Sequence, residues 1–401
     1  MKTIGYILPS FPNLSETFIG NEIRAMQERG HKVVPIVFRR EDDFAQPEDF
    51  LLAAGAHYLS NIPTKRATNE LKRPSKHAAK AMSFLMSQKT LPRYSLFGNA
   101  LKIAAIAREE GCDHLHAHFA NDTAAHAIVA ACWRGITVSF VGHGIDVHKE
   151  PEDLKLKLEC ADIAISLNDE MSEAFASYET KAQVAMVPFG VNIEQFMPRT
   201  TNKGDNGRLL FVGRLRHRKG LEDILEAAAR LGSDCPKIDI VGDGPFYETL
   251  SKRAKALGLF DSRIAFLGSQ PSSWIAANAP NYKGMILPFK ASSDGLHDTR
   301  FLTLKEAMAM GLPVITTNLR EIRNIINEDE GLIVEPNDTH QLSKAILKLK
   351  TMEAEQTHHM TKRALEHIRS EFSLQAQART LSSLFEMIGT KSRSAKTSKA
   401  A

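Results

Sequence analysis

Short apolar runs rich in β-branched residues alternate with amphipathic stretches along most of this 401-residue chain. In its first half the runs are TIGYIL, KVVPIVF, DHLHAHF, ITVSFV, DIAISL and QVAMVPF, each followed by helix-like sequence or a loop. Strands that alternate with helices pair in parallel, because each helix carries the chain back over the sheet. The chain is therefore predicted to be an α/β protein built on parallel sheets.

A polar, glycine-containing segment, MPRTTNKGDNGR, separates this first series from a second one. The second series comprises RLLFVG, KIDIVGDG, RIAFLG, GMILPF and PVITT, again alternating with helical sequence. Two doubly wound domains in series are the simplest interpretation. The predicted boundaries are a first domain at 1–195, a linker at 196–207, a second domain at 208–372, a helix at 373–390 that packs back on the first domain, and a disordered basic tail at 391–401.

Composition excludes several classes of protein. A formal net charge of +4, without a zinc-finger spacing or an aromatic-interleaved basic motif, gives no support for a nucleic-acid partner. The four cysteines lie far apart, which argues against a disulfide framework and fits a reducing cytoplasm. Prolines at 9 and 12 interrupt the apolar N-terminal run, and no stretch is predicted to be a signal peptide or a membrane span.

The segment from Lys65 to Arg93 carries eight basic residues against one acid, Glu70, with apolar residues between them. One interpretation is an ordinary solvated helical face. The other is a patch that rests on anionic lipid headgroups and makes the protein peripheral at the inner face of the cell membrane.

The second series contains basic and glycine-rich loops that directly follow predicted strands. Arg214 and Lys219 lie in the loop of LLFVGRLRHRKG, where a phosphorylated ligand would meet them. Gly242 and Gly244 lie between strand and helix in IVGDGP and allow close backbone approach. The full dinucleotide glycine pattern is absent, which disfavours a nicotinamide enzyme.

Two acids, Asp298 and Glu306, stand eight positions apart in DTRFLTLKEAMAMGLPVITT. The segment is predicted to be a loop, a helix capped by Thr303, and a buried strand. Thr303 and Glu306 have the spacing of a capping box, which offers a structural explanation for Glu306. With the basic loop, a helix N-terminus and two carboxylates would suit a diphosphate and sugar hydroxyls.

The first series contributes a different set of polar residues. His114, His116 and His118 of LHAHF recur at period two and are predicted to share one strand face. Zinc is one interpretation, but no nearby carboxylate pattern completes a familiar site, so packing is the simpler explanation for His114 and His116. Glu16 and Glu22, after the first strand, are acceptor-side candidates or ordinary helix acids.

The ordered set of motifs resembles a known family over nearly the whole chain, to about residue 390. FVGRLRHRKG, IVGDGP, FLGSQP and DTRFLTLKEAMAMGLPVITT resemble the C-terminal domain of family-4 retaining glycosyltransferases. PSFPNLSETFIGNEIRAM, LHAHFA, GHGIDVH and VPFGVNIEQF resemble members that build bacterial exopolysaccharide and lipopolysaccharide. The resemblance implies the GT-B architecture, in which two Rossmann-like domains face each other across a cleft, the first binding the acceptor and the second the nucleotide sugar.

The resemblance also implies roles for individual residues. Arg214 and Lys219 would grip the diphosphate, Glu306 the ribose hydroxyls, and Asp298 and His118 would lie beside the donor sugar. Further donor-binding residues would be Gly213, Gly242, Gly244, Gln270, Leu302 and Thr303, and acceptor-side candidates Ser15, Glu16, His143 and Asp146. No metal or cofactor is expected, since Arg214, Lys219 and a helix N-terminus would stabilise the leaving diphosphate. The donor would be a nucleotide diphosphate sugar and the acceptor a saccharide or lipid-linked saccharide.

One departure from the family pattern keeps alternatives open. Asp298 stands where glutamate is usual, followed by Thr299 and Arg300 where a small glycine commonly stands, so an altered donor preference is expected. A nucleotide-sugar 2-epimerase shares the architecture, although GRLRHRKG together with KEAMAMGLPV favours transfer. A sugar-nucleotide-binding module that has lost catalysis is the non-enzymatic alternative.

Overall fold

The computed structural model describes residues 1–13, 16–41, 46–149, 151–198, 205–291 and 301–397, with side chains to 388. The chain divides into two compact units. The N-terminal unit consists of residues 1–190 and 374–401, and the C-terminal unit of residues 191–373. The chain therefore leaves the N-terminal unit after Gly190 and re-enters it at Leu374.

In the described part of the N-terminal unit, parallel strands form one sheet in the order β3-β2-β1-β4-β5-β6-β7. The strands are β1 (Thr3–Ser10), β2 (Lys32–Arg39), β3 (His57–Tyr58), β4 (His114–His118), β5 (Thr137–Val141), β6 (Ile163–Ser166) and β7 (Gln183–Met186). The helices are α1 (Thr17–Glu28), α2 (Pro47–Ala54), α3 (Thr64–Leu71), α4 (Ala78–Ser87), α5 (Arg93–Glu109), α6 (Asp122–Arg134), α7 (Leu154–Cys160) and α8 (Asp169–Ala176).

In the C-terminal unit the described strands are also parallel, in the order β10-β9-β8-β11-β12-β13. They are β8 (Leu209–Val212), β9 (Ile238–Val241), β10 (Ile264–Gly268), β11 (Gly284–Leu287), β12 (Val314–Thr317) and β13 (Leu332–Val334). The helices are α9 (Leu221–Leu231), α10 (Tyr247–Ala256), α11 (Ser272–Asn278), α12 (Leu302–Ala309), α13 (Arg320–Arg323), α14 (Thr339–Thr351) and α15 (Ala354–Glu371).

The last helix, α16 (Leu374–Thr397), returns to the N-terminal unit and packs against α1. Its side-chain contacts include Ser382 Oγ, 2.8 Å from Nε2 of His31, and the amide of Gln377, which contacts Glu22. The helix runs past residue 390, where the sequence analysis ended it.

The predicted fold class is confirmed, and each apolar run singled out in the sequence contains a strand. Strands β3 and β13 were not predicted, because two or three residues are too few to show a period-two pattern. In the described ranges, no helix combines the length and the apolar content needed to cross a membrane.

Candidate functional site

The carboxyl ends of β8, β9 and β10 bring three loops of the C-terminal unit into direct contact. The N–H of Gly213 donates to the carbonyl of Val241 at 3.0 Å, and that of Gly242 donates to the carbonyl of Gly268 at 2.8 Å. Gly242 has φ 140°, and a Cβ there would overlap the carbonyl oxygen of Gly213. The close approach predicted for these glycines is therefore made by the neighbouring loop. Gly244 lies in the same turn.

The basic loop after β8 is fixed against the loop that follows β11. Gly220 has φ 70°, and any side chain there would collide with the carbonyl of Pro288. Lys219 Nζ lies 4.7 Å from the ring centroid of Phe289, a cation–π distance. Arg214 is exposed in the same loop. Both residues predicted to bind the diphosphate thus lie beyond the carboxyl end of β8, where doubly wound sheets bind their ligands.

Helix α12 begins two residues earlier than predicted. Its N-cap is Phe301, with φ 42°, so Thr303 lies inside the first turn and the proposed capping box with Glu306 does not form. Leu302 and Thr303 are half-buried at the start of the helix. The structural explanation for Glu306 is thereby removed, which leaves its carboxylate for another partner.

Glu306 has an unusual acidity for a carboxylate. It is half-buried on α12, and burial raises its pKa to about 7.

Gln270, in the turn after β10, donates from its side-chain amide to the carbonyl of Leu267 at 3.0 Å. Asp298 lies outside the described residues.

On β4, His114, His116 and His118 share one face, as predicted, and all three are buried. They are not packed only against apolar groups. His114 Nδ1 lies 2.8 Å from Thr137 Oγ1, His114 Nε2 lies 2.7 Å from Ser139 Oγ, and Ser139 Oγ lies 2.8 Å from His116 Nδ1. Burial lowers the pKa of His116 to about 3 and that of His114 well below its ordinary value.

Glu22 of α1 meets the other side of this histidine row. Its Oε1 lies 3.3 Å from His118 Nε2 and 3.6 Å from His116 Nε2. Burial tends to raise the pKa of Glu22, but the neighbouring His118 and His116 outweigh it and the pKa lies below its ordinary value. Glu22 is only 3 % exposed, so its carboxylate is buried beside the histidines.

Glu22, His116 and His118 also form a group that could hold a metal ion. Their ligand atoms all lie within 4.8 Å of one another. The sequence showed no carboxylate near these histidines because the carboxylate comes from α1, almost a hundred residues earlier. One signal was present: Glu22 follows Phe18 by four residues and precedes Met26 by four, which places it on the buried stripe of α1.

Asp146 supports the end of β4 from within. Its carboxylate accepts the backbone N–H of Ala120 and, at 2.7 Å, that of His143. Burial raises the pKa of Asp146 to about 7.

Next to Ala120, Phe119 has φ 74° and stacks on His143 with ring centroids 4.0 Å apart. A bulky residue in the left-handed region is strained backbone of the kind that concentrates at functional sites.

The remaining acceptor-side candidates lie before α1. Glu16 is the half-buried N-cap residue of that helix, without a side-chain capping bond. Ser15 lies outside the described residues.

Comparisons with known proteins indicate the class of protein to which this chain belongs. Residues 192–367 match the family model of glycosyl transferases group 1. WcaL of Escherichia coli K12, named as a glycosyltransferase of colanic acid biosynthesis, is 26% identical over 96% of this chain and 100% of its own length.

Two solved structures share the fold. Anabaena Alr3699/HepE, in complex with UDP and glucose, has a TM-score of 0.70 at 15% identity, covering 96% of this chain and 100% of its own. The apo lipopolysaccharide outer core galactosyltransferase WaaB has a TM-score of 0.65 at 17% identity, covering 96% and 99%.

The chain has the GT-B architecture of these two structures. Its family match and its likeness to WcaL identify it as a glycosyltransferase. The C-terminal unit, in particular, is a glycosyl transferases group 1 domain.

Proposed function

We propose that this glycosyltransferase moves a sugar from a nucleotide diphosphate sugar to a saccharide or lipid-linked saccharide, with retention of configuration and without a metal ion. The observation that carries the proposal is the placement of Arg214 and Lys219 beyond the carboxyl end of β8, in the same unit as Glu306. Colanic acid in the name of WcaL, and lipopolysaccharide in that of WaaB, support a role in cell-surface polysaccharide synthesis.

The proposed chemistry follows from the charges that develop as the bond breaks. When the bond from the anomeric carbon to the phosphate breaks, the sugar gains oxocarbenium character and the nucleotide diphosphate gains negative charge. Arg214 and Lys219 stabilise that leaving group, assisted by the N–H groups of Leu302 and Thr303 at the start of α12. The acceptor attacks from the face that the leaving group vacates, and the departing phosphate takes the acceptor's proton.

The other residues are assigned roles around the sugar. Glu306 accepts hydrogen bonds from the ribose hydroxyls, and Asp298 faces the donor sugar. His118, at the end of β4, lies beside the sugar, and the N-terminal unit binds the acceptor. Because Asp298 is one methylene shorter than glutamate, we propose a donor whose hydroxyl pattern differs from that of the commonest relatives.

The test is a thermal-shift panel of UDP, GDP and ADP sugars, followed by product analysis with the best binder. We expect a transferred sugar whose anomeric configuration matches the donor, at a rate that EDTA leaves unchanged. Activity that EDTA abolishes and only a divalent ion restores would refute the metal-free mechanism. A 2-epimerised sugar nucleotide formed without acceptor would instead identify an epimerase.

The pKa of Glu306 predicts how donor affinity depends on pH. An ionised carboxylate can accept from a hydroxyl at each oxygen, whereas the protonated group carries a hydrogen on one of them. With a pKa of about 7, Glu306 ionises as the pH rises through neutrality. A nucleotide sugar has no phosphate proton to lose in that range. We therefore expect its affinity to rise roughly tenfold from pH 6 to pH 8. Calorimetric titration of wild type and Glu306→Gln measures this, and an equal pH dependence in both would exclude Glu306 as the source.

We also propose that the basic segment from Lys65 to Arg93 rests on an anionic membrane. All eight of its basic residues are exposed, whereas its acid, Glu70, is buried against Arg108. Met82 and Met86, on one face of α4, are 39% and 55% exposed. Exposed apolar side chains among lysines are typical of surfaces that insert shallowly into lipid headgroups. The protein would then be cytoplasmic and peripheral, near a lipid-linked acceptor.

Neutralising Lys65, Lys72 and Lys76 to glutamine should weaken binding to anionic vesicles. Each basic residue near such a surface contributes about 1 kcal/mol, so the affinity should fall by roughly 100-fold. Sedimentation with vesicles of rising anionic content at low salt measures it. The matched control neutralises three exposed lysines of the C-terminal unit, Lys344, Lys348 and Lys362. Equal binding to anionic and neutral vesicles would show that the segment is merely solvated.

A further inference from the structure

A buried row of polar side chains extends along β4 and β5 in the N-terminal unit. It consists of Thr137, His114, Ser139, His116, Glu22 and His118, in that spatial order, and we call it the β4 polar row. Strand register aligns it, since His114 is paired with Thr137 and His116 with Ser139. The row ends at His118, beside the strained Phe119.

At Glu22 the direction of the hydrogen bond, from donor to acceptor, is fixed. The backbone N–H of Gly190 donates to Oε1 of Gln377 at 2.8 Å, so the amide nitrogen of Gln377 faces the other way. That nitrogen donates to Oε2 of Glu22 at 2.7 Å. Glu22 therefore acts as an acceptor there, as an ionised carboxylate must.

The second oxygen of Glu22 decides which nitrogen of each histidine carries hydrogen. Nε2 of His118 and of His116 both face Oε1, at 3.3 and 3.6 Å. Neither contact has hydrogen-bond geometry, so the inference rests on electrostatics: a carboxylate oxygen attracts an N–H and repels a nitrogen lone pair. Both histidines therefore carry hydrogen on Nε2.

The hydroxyl of Ser139 has a single hydrogen, so the donor and acceptor roles at His116 determine those at His114 as well. A neutral His116 with hydrogen on Nε2 has a lone pair on Nδ1, which accepts the Ser139 hydroxyl hydrogen. Ser139 Oγ must then accept from His114 Nε2, because a hydroxyl has one hydrogen to donate. His114 Nδ1 in turn accepts from Thr137.

We propose that Glu22 is a positioning residue for the transfer reaction: it fixes the hydrogen on Nε2 of all three histidines and presents Nδ1 of His118 toward a ligand hydroxyl. That Nδ1 is buried and makes no hydrogen bond within the described residues. The catalytic part of this inference rests on the proposed function, through the place of His118 beside the sugar. The hydrogen positions do not.

A metal ion on the same three atoms is the competing possibility, and it predicts the opposite hydrogen positions. A metal bound by Nε2 of His116 and His118 would need lone pairs on those nitrogens. Long-range proton–nitrogen NMR on protein labelled with 15N-histidine distinguishes the two. Single His→Gln variants at 114, 116 and 118 assign the three rings among the fifteen histidines.

In wild type, freed of adventitious metal, we expect hydrogen on Nε2 of all three rings. Glu22→Gln should shift His116 and His118 at least partly to the Nδ1–H form, because the oxygen of the introduced amide will turn to the amide nitrogen of Gln377 and its NH2 group to the two imidazoles. The control is Glu70→Gln, which removes the charge of another buried glutamate of this unit, paired with Arg108 at 2.7 Å. It should lower stability but leave the three rings unchanged.

Turnover gives the second readout. Glu22→Gln should lower kcat roughly 10- to 100-fold with little change in donor KM, the usual effect of losing a residue that orients another. Glu22→Asp should recover part of that loss, and Glu70→Gln should match wild type per folded molecule. Hydrogen on Nδ1 of His116 or His118 in wild type, or stoichiometric zinc that survives dialysis, overturns the proposal. If no transfer is found at all, the NMR result still stands or falls alone.

Discussion

Replacing Lys219 or Arg214 by alanine should each lower turnover by roughly 100- to 1000-fold, the range seen when one preorganised donor to a developing anion is removed. Lys219 is held in place by its contact with Phe289. A cation from solvent would not be held at the same position, so it would not restore the lost stabilisation. Lys219→Met keeps an unbranched side chain of similar length and removes the charge, so it should lose as much turnover as Lys219→Ala.

The control is Lys237→Ala, an exposed lysine at the amino end of β9, on the opposite edge of the same sheet. It should leave turnover unchanged. Thermal unfolding of each variant verifies the fold. Wild-type kcat in Lys219→Met would remove the ammonium from the mechanism, and wild-type kcat in Arg214→Ala would do the same for the guanidinium.

Gly242→Ala should reduce the stability of the C-terminal unit by about 2–5 kcal/mol, since left-handed backbone strain and a steric overlap add together. The added Cβ would overlap the carbonyl of Gly213, so the loops after β8 and β9 must separate. Nucleotide-sugar affinity should fall with stability, because the loop that moves carries Arg214.

Gly258→Ala is the matched control for this substitution. Gly258 also has a positive φ, of 69° against 140° at Gly242, but a Cβ there would meet nothing within 4 Å. It should cost only the backbone strain, about 1–2 kcal/mol, and leave affinity unchanged. Equal denaturation midpoints for the two variants would show that the overlap at Gly242 relaxes without cost.

The sequence was sufficient to predict the architecture because both sheets are parallel and buried on both faces. Their strands are consequently continuous apolar runs, such as TIGYIL and GMILPF, which stand out from the helices around them. The placement of Arg214 and Lys219 after a strand followed from the same pattern.

The polar interior of the N-terminal unit could not be predicted in the same way. The alternation of LHAHF fixed the shared face of three histidines, but Glu22 and Gln377, which complete their surroundings, are separated by 355 positions. Nor does local sequence show that Phe301 rather than Thr303 caps α12, since that depends on a left-handed backbone at an aromatic residue packed on Phe289. Propensity favours threonine there, and tertiary packing overrides it.

The return of α16 to the N-terminal unit has a consequence for biosynthesis. Ala378, Leu381 and Phe385 are almost fully buried, so this unit lacks part of its core until the end of the chain is available. On the ribosome, domains generally fold in order from the N-terminus. Here the N-terminal unit emerges first but exposes an apolar surface, and Glu22 lacks its Gln377 partner, while the C-terminal unit is synthesised. The C-terminal unit is therefore the first that can complete its fold.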